Sequence, residues 1–254
     1  MATEQIRFAV AAKQGNTTKA SELSRFLNKY FYFCMSLLVA VVVIYGFGHT
    51  VDNRLVHATP PRPWILWVHG AVFSGWVAFF IFQSALVRTH HVKLHRLTGW
   101  FGAALGVSIP VLGIATAIAM SRFRIVHFHQ VGIKPFFALS ALDMVSFAFP
   151  FWLAIYWRKK PEFHRRLVLI ATCALTGAAF ARFPMMPQPH AWGAYACVDA
   201  LILLGVARDL IVNRRIHSVY RYALPILIAC QIFAVRLAFH HPAWWVNITN
   251  AIIG

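Results

Sequence analysis

A chain of 254 residues that is 59% hydrophobic, 15% aromatic and only 12% charged falls far short of the roughly one-quarter charged content of soluble domains. In a soluble protein the net charge of +17 would point to nucleic acid, but the apolar excess excludes that partner and puts the basic residues at a lipid surface. Four cysteines, all within apolar runs and without a C-x-x-C pair, argue against a disulfide framework and give no spacing for a zinc site.

Seven apolar runs approach or exceed the roughly 20 residues that a helix needs to cross a bilayer. They cover 30–48, 64–87, 99–120, 135–157, 167–183, 191–212 and 219–239. Their short connections predict one all-α polytopic membrane bundle: a cytoplasmic segment at 1–29, a seven-helix domain at 30–241 and an outer tail at 242–254. The long polar stretch before the first run argues against a secretory signal, so that run is expected to stay as a span.

Orientation follows from the basic residues. Seventeen of the 24 Lys and Arg fall on the side of the N-terminus, and seven (Arg54, Arg62, Arg122, Arg124, Lys134, Arg182 and Arg236) fall on the other. The positive-inside rule then puts the N-terminus inside and the C-terminus outside, in a membrane of the bacterial inner type. Runs one, three, five and seven lead outward.

Ordering the polar residues by depth along these runs isolates two groups. On run two, "WILWVHGAVF" places His69 about two turns below the outer surface, and "IVHFHQVGIKP" places His127 and His129 before run four. On the inner side, "LHRLTG" and "FHRRLVLI" open runs three and five with His95 and His164, each followed by Arg. Asp143 on run four, Asp199 on run six, Arg182 on run five and Arg236 on run seven share the outer leaflet. A bundle-facing set of two carboxylates and two guanidinium groups is nearly neutral, which is how such groups survive burial. It is expected to form either helix-locking ion pairs or an outer polar pocket for a small molecule, a quinone head group or protons.

The histidines suggest a different chemistry. Low-spin b-type haem takes two imidazoles from facing helices, and one haem per leaflet moves electrons across the membrane. His69 with His129 (or His127) would serve the outer leaflet and His95 with His164 the inner one, with Arg96, Arg165 and Arg166 beside the inner propionates.

"KLHRLTGW", around His95 and Gly99, resembles the L-H-S-W-x-G-like segment at an inner ligand of the transmembrane dihaem cytochromes b of the ascorbate and ferric reductase type. The similarity extends over about residues 64–184. The same segment resembles more closely a broad group of uncharacterised bacterial multipass proteins with His-Arg-x-x-Gly before a span. The first resemblance implies haem b held by His69, His129, His95 and His164, and a quinone or another small redox molecule as electron partner.

Three other classes bear on the same residues. A di-iron lipid oxidase would use the i,i+4 pair His91 and His95, but five inner histidines are too few for such a site. A retinal protein needs a lysine in the last span, and "YALPILIACQIFAVRLAF" has none. A haem-free binding or transport protein, or a structural subunit of a larger membrane complex, would rely on the outer Asp/Arg cluster.

Overall fold

The computed structural model describes residues 2–186 and 190–254, with side chains over 22–130, 132–186 and 191–254. Among the described residues the fold is all-α. The helices are α1 (Ala2–Gly48), α2 (Ile65–Arg88), α3 (Val92–Phe128), α4 (Phe137–Tyr156), α5 (Pro161–Ala174), α6 (Gly177–Phe180), α7 (His190–Asn213), α8 (Ser218–His240) and α9 (Ala243–Ile253). A π-helical turn at Asp52–Val56 and a 3₁₀ helix at Val131–Phe136 join the longer elements.

Glu22–Gly48, Ile65–Arg88, Val92–Phe128, Gly132–Tyr156 and Ser218–His240 are each long and apolar enough to cross a bilayer. With α7 and the α5–α6 segment they form a helical membrane bundle of seven segments. Large apolar side chains such as Ile44, Phe101, Val111, Phe149 and Trp152 remain more than half exposed. An apolar surface of that extent on a soluble monomer would drive association, whereas lipid covers it here.

The hub is α5, packed against α1, α4, α7 and α8. Pro161 starts it and Glu162 occupies its first turn, a proline position and an acidic residue that both favour a helix N-terminus. From Arg166 onward nearly every residue is buried: Leu167, Leu169, Ile170, Ala171, Thr172, Cys173 and Ala174. On its far side, α3 packs between α2 and α4. A Cβ on Gly106 would overlap the Phe151 ring of α4, so the small residue sets that helix spacing.

The N-terminal segment is helical and continuous with the first span in α1. Two features depart from the sequence-based expectation. The third span, expected over 99–120, belongs to a 37-residue helix, about 55 Å long at 1.5 Å per residue. That exceeds a hydrocarbon core of about 30 Å, so one or both ends project into the head-group region. The fifth span is divided: Thr176 donates its hydroxyl to the Cys173 carbonyl at 2.6 Å, and the backbone tightens to i→i+3 bonding at Leu175 and Thr176. Such back-bonding and 3₁₀ tightening interrupt an α-helix.

The tail contains a helix as well. α9 docks on α3 and the 3₁₀ helix, and Arg122 donates to the carbonyls of Ile253 and Ile252 at 2.8 and 3.0 Å. A guanidinium at these carbonyls satisfies acceptors that a helix end leaves open.

The two ends of the bundle separate cleanly. Asn28 meets Arg208, Arg88 stacks on Tyr30, Gln83 meets Thr98 and Arg158 approaches Trp100 at one end. Gly48, His69, Arg124, Asp143 and Arg182 gather at the other. The end richer in Lys and Arg is called the inner end and the other the outer end, after the charge asymmetry of the sequence.

Candidate functional site

The outer end contains a cavity of 1180 Å³ between α1, α2, α3, α4 and the α5–α6 segment. Its walls are mainly apolar, with Val39, Val43, Phe73, Trp76, Ala117 and Met144 among them. Trp76 is held by an Nε1–H bond to Thr172 Oγ1 of 3.3 Å, which ties α2 to the hub helix.

Four arginines line this cavity, Arg54, Arg62, Arg124 and Arg182, together with one carboxylate, Asp143. Arg62 lies over the rings of Phe123 and Phe128, at 4.9 and 5.2 Å. Arg182 lies 4.3 Å over Phe47 and donates to the Ala178 carbonyl. These contacts orient the guanidinium groups without neutralising them. Among the described residues none of the four forms an ion pair. Asp143 instead accepts a hydrogen bond of 2.9 Å from the Tyr195 hydroxyl of α7.

Three buried side-chain atoms on this wall lack a hydrogen-bond partner: Arg62 Nη1, His69 Nδ1 and Thr116 Oγ1. His69 is stacked on Phe73, its own helix neighbour, with 3.9 Å between ring centroids. Unsatisfied buried polar atoms are uncommon and each costs about 1–3 kcal/mol.

The expected outer cluster is only partly assembled. Asp143 and Arg182 share the cavity. Asp199 accepts from Gln231 of α8 at 3.0 Å, and Arg236 is exposed. The cause is helical phase: the buried stripe of α8 runs through Gln231, Ala234, Val235 and Ala238, and residue 236 falls off that stripe at about 100° per residue.

Of the two expected imidazole pairs, one is brought together. His95 and His164, each in the first turn of its helix, have ring centroids 6.3 Å apart and an interplanar angle of 76°. His164 Nδ1 is bonded to the Ala154 carbonyl at 2.9 Å, which leaves Nε2 for another partner. Buried near them, His95 Nδ1 and Gln83 Oε1 have no partner. In contrast, His129 is exposed, in the left-handed residue that ends α3, and is not on the cavity wall that holds His69.

One group went unnoticed in the sequence. Arg166, fully buried on α5, makes a bidentate contact with Asp209 of α7, at 2.8 and 2.6 Å. Glu162 accepts from the same arginine at 2.6 Å. Arg208, 1% exposed, bonds Asp209 at 3.0 Å and Asn28 at 2.7 Å, and Asn213 donates to Asp209 at 3.0 Å. Arg165 bonds Glu162 at 2.7 and 2.6 Å. Arg165 and Arg166, expected beside haem propionates, are therefore engaged in a structural network.

Fold and site together define a polytopic helical membrane protein with an arginine-lined cavity at one end. No protein-family profile, curated protein or solved structure matches the chain.

Proposed function

We propose that this protein binds a small molecule with a polar head and an apolar body in the outer-end cavity. The observation that carries this reading is that Arg62, His69 and Thr116, each with a buried side-chain atom that lacks a partner, line one largely apolar cavity. Ligand sites commonly combine apolar walls with a few such polar groups, in volumes of about 300–1,000 Å³. Thr176 and Ala178, at the α5–α6 break, are among the residues that line the same cavity, so the segment's irregular backbone borders a cavity and avoids lipid.

The experiment is native mass spectrometry from mild detergent, comparing the wild type with Ala117→Trp, which fills the cavity. A bound organic molecule at near one per chain, lost in the variant, is expected. A wild type that carries nothing, and whose melting temperature no added amphiphile raises, would overturn the reading.

The inner histidines support a second reading, in which His95 and His164 hold one b-type haem. Two imidazoles on opposite sides of one metal put their ring centres roughly 6 Å apart, from metal–nitrogen bonds of about 2.0 Å and about 1.1 Å more to each ring centre. The separation of 6.3 Å fits that spacing, and the Ala154 carbonyl supports the His164 tautomer. A haem here would carry one electron at a time. The arrangement fits one such group, not the expected two, because His69 and His129 do not face each other. A dithionite-reduced spectrum with a sharp α band, lost in His95→Ala and in His164→Ala, supports this reading. A colourless, folded, iron-free protein refutes it.

A further inference from the structure

Of the seven basic residues at the outer end, four line one cavity. Among the other three, Arg122 closes the end of α9, Lys134 donates to Asn250 at 3.1 Å, and Arg236 is exposed away from the bundle interior. Arg62 and Arg182 donate to the backbone carbonyls of Arg54 and Ala178, but among the described residues none of Arg54, Arg62, Arg124 and Arg182 has a carboxylate partner, and the cavity's one carboxylate, Asp143, is bonded to a tyrosine.

The four also come from separate parts of the chain: the turn after α1, the segment before α2, the end of α3 and the segment after α6. Like charges converging from four places repel unless something of opposite sign lies among them. Nothing at the level of an ion pair does so within the described residues.

We propose that the molecule bound in the cavity is an anionic amphiphile, whose carboxylate or phosphate head is held among Arg54, Arg62, Arg124 and Arg182 while its chain runs inward along Trp76 and Met144. This rests on the cavity reading above and adds the charge and orientation of its occupant. Guanidinium forks suit both head groups, because each presents paired oxygens to paired N–H donors. Met144 lies seven residues into α4 from Phe137, about 10 Å along the helix, so a chain of that length or longer is enclosed. The length of α3 fits as well, since a helix longer than the hydrocarbon core can hold Arg124 at head-group level.

The test compares four probes on the detergent-purified full chain, followed by Trp fluorescence and melting temperature: dodecyl phosphate, dodecanoate, dodecanol and inorganic phosphate. The two anionic amphiphiles are expected to bind at least ~10-fold more tightly than dodecanol, and inorganic phosphate weakly. Arg124→Gln/Arg182→Gln is expected to remove that preference, and Arg124→Lys/Arg182→Lys to retain part of it.

Equal binding of dodecanol and dodecyl phosphate, with no effect of the Gln pair, overturns the anionic occupant and leaves the cavity reading intact. Inorganic phosphate binding as tightly as dodecyl phosphate overturns the role of the chain. Failure of all four probes overturns the cavity reading itself. Should the Gln pair not fold, by circular dichroism, the dodecanol comparison on the wild type still decides.

Discussion

Asp209 is the residue on which the inner end depends most, because it is fully buried between two arginines, Arg166 and Arg208. Asp209→Ala leaves both guanidinium groups buried with no carboxylate from α7, and breaking a buried pair from one side costs about 3–5 kcal/mol. A correspondingly large fall in melting temperature is expected, with partial recovery in Arg166→Met/Asp209→Leu, which removes one cation with its partner. Glu162 behaves differently because it is partly exposed. Burial pushes its carboxyl up, but hydrogen bonds and attraction from Arg166 and Arg165 outweigh this and hold it below the ordinary range. Its contribution is therefore present above the unfolded carboxyl pKa of about 4.3 and is lost as pH falls through the lower folded value. Screening keeps it within about 1 kcal/mol, so Glu162→Gln should lower stability slightly at pH 7 and have no effect below the folded titration, in paired thermal melts. The sequence hid this network for a physical reason. Arg208 lies close to Arg214 and Arg215 and reads as part of their loop charge, whereas the rotation of α7 turns it and Asp209 into the bundle.

At the scale of elements, all seven apolar runs are helical, because hydropathy over some twenty residues is a strong signal and lipid leaves the backbone few alternatives. What hydropathy could not reveal was how each helix ends or breaks. The α5–α6 interruption rests on one side-chain bond from Thr176 and on the approach of α1. That approach is close: a Cβ on Gly46 would overlap the Ala179 carbonyl of α6. The obstacle is backbone, which cannot rotate aside, so Gly46→Val is expected to cost at least the roughly 1–3 kcal/mol of core overpacking. Gly75→Ala is the control. No atom lies within 4 Å of its added Cβ, so the gain from replacing a mid-helix glycine, about 0.5–1 kcal/mol, should leave the protein as stable as wild type or slightly more so. Equal melting temperatures for both variants would show that α1 and α6 do not pack as described.

For the whole molecule, the same depth argument that located His95 beside His164 failed to unite Asp199 with Arg236. Depth along a helix fixes which residues share a layer; the helical phase and the tilt of each neighbour decide which of them meet. Charge asymmetry is a coarser property and survives these details. Seventeen basic residues gather at the end that holds Asn28, His95, Glu162 and Asp209, against seven at the cavity end, and four of those seven line the cavity. Seven crossings would put the two termini on opposite sides. Paired reporter fusions in a bacterial host test this: alkaline phosphatase joined after Gly254 should be active and a fluorescent protein there dark, while fusions in the loop between α4 and α5, beside Arg158, Lys159 and Lys160, should give the reverse. Because the orienting charges lie at the inner end, Arg124→Gln/Arg182→Gln should leave both readouts unchanged. Active phosphatase in the α4–α5 loop would invert the molecule and place the arginine-lined cavity at the cytoplasmic face, where its ligand would have to be drawn from the inner leaflet.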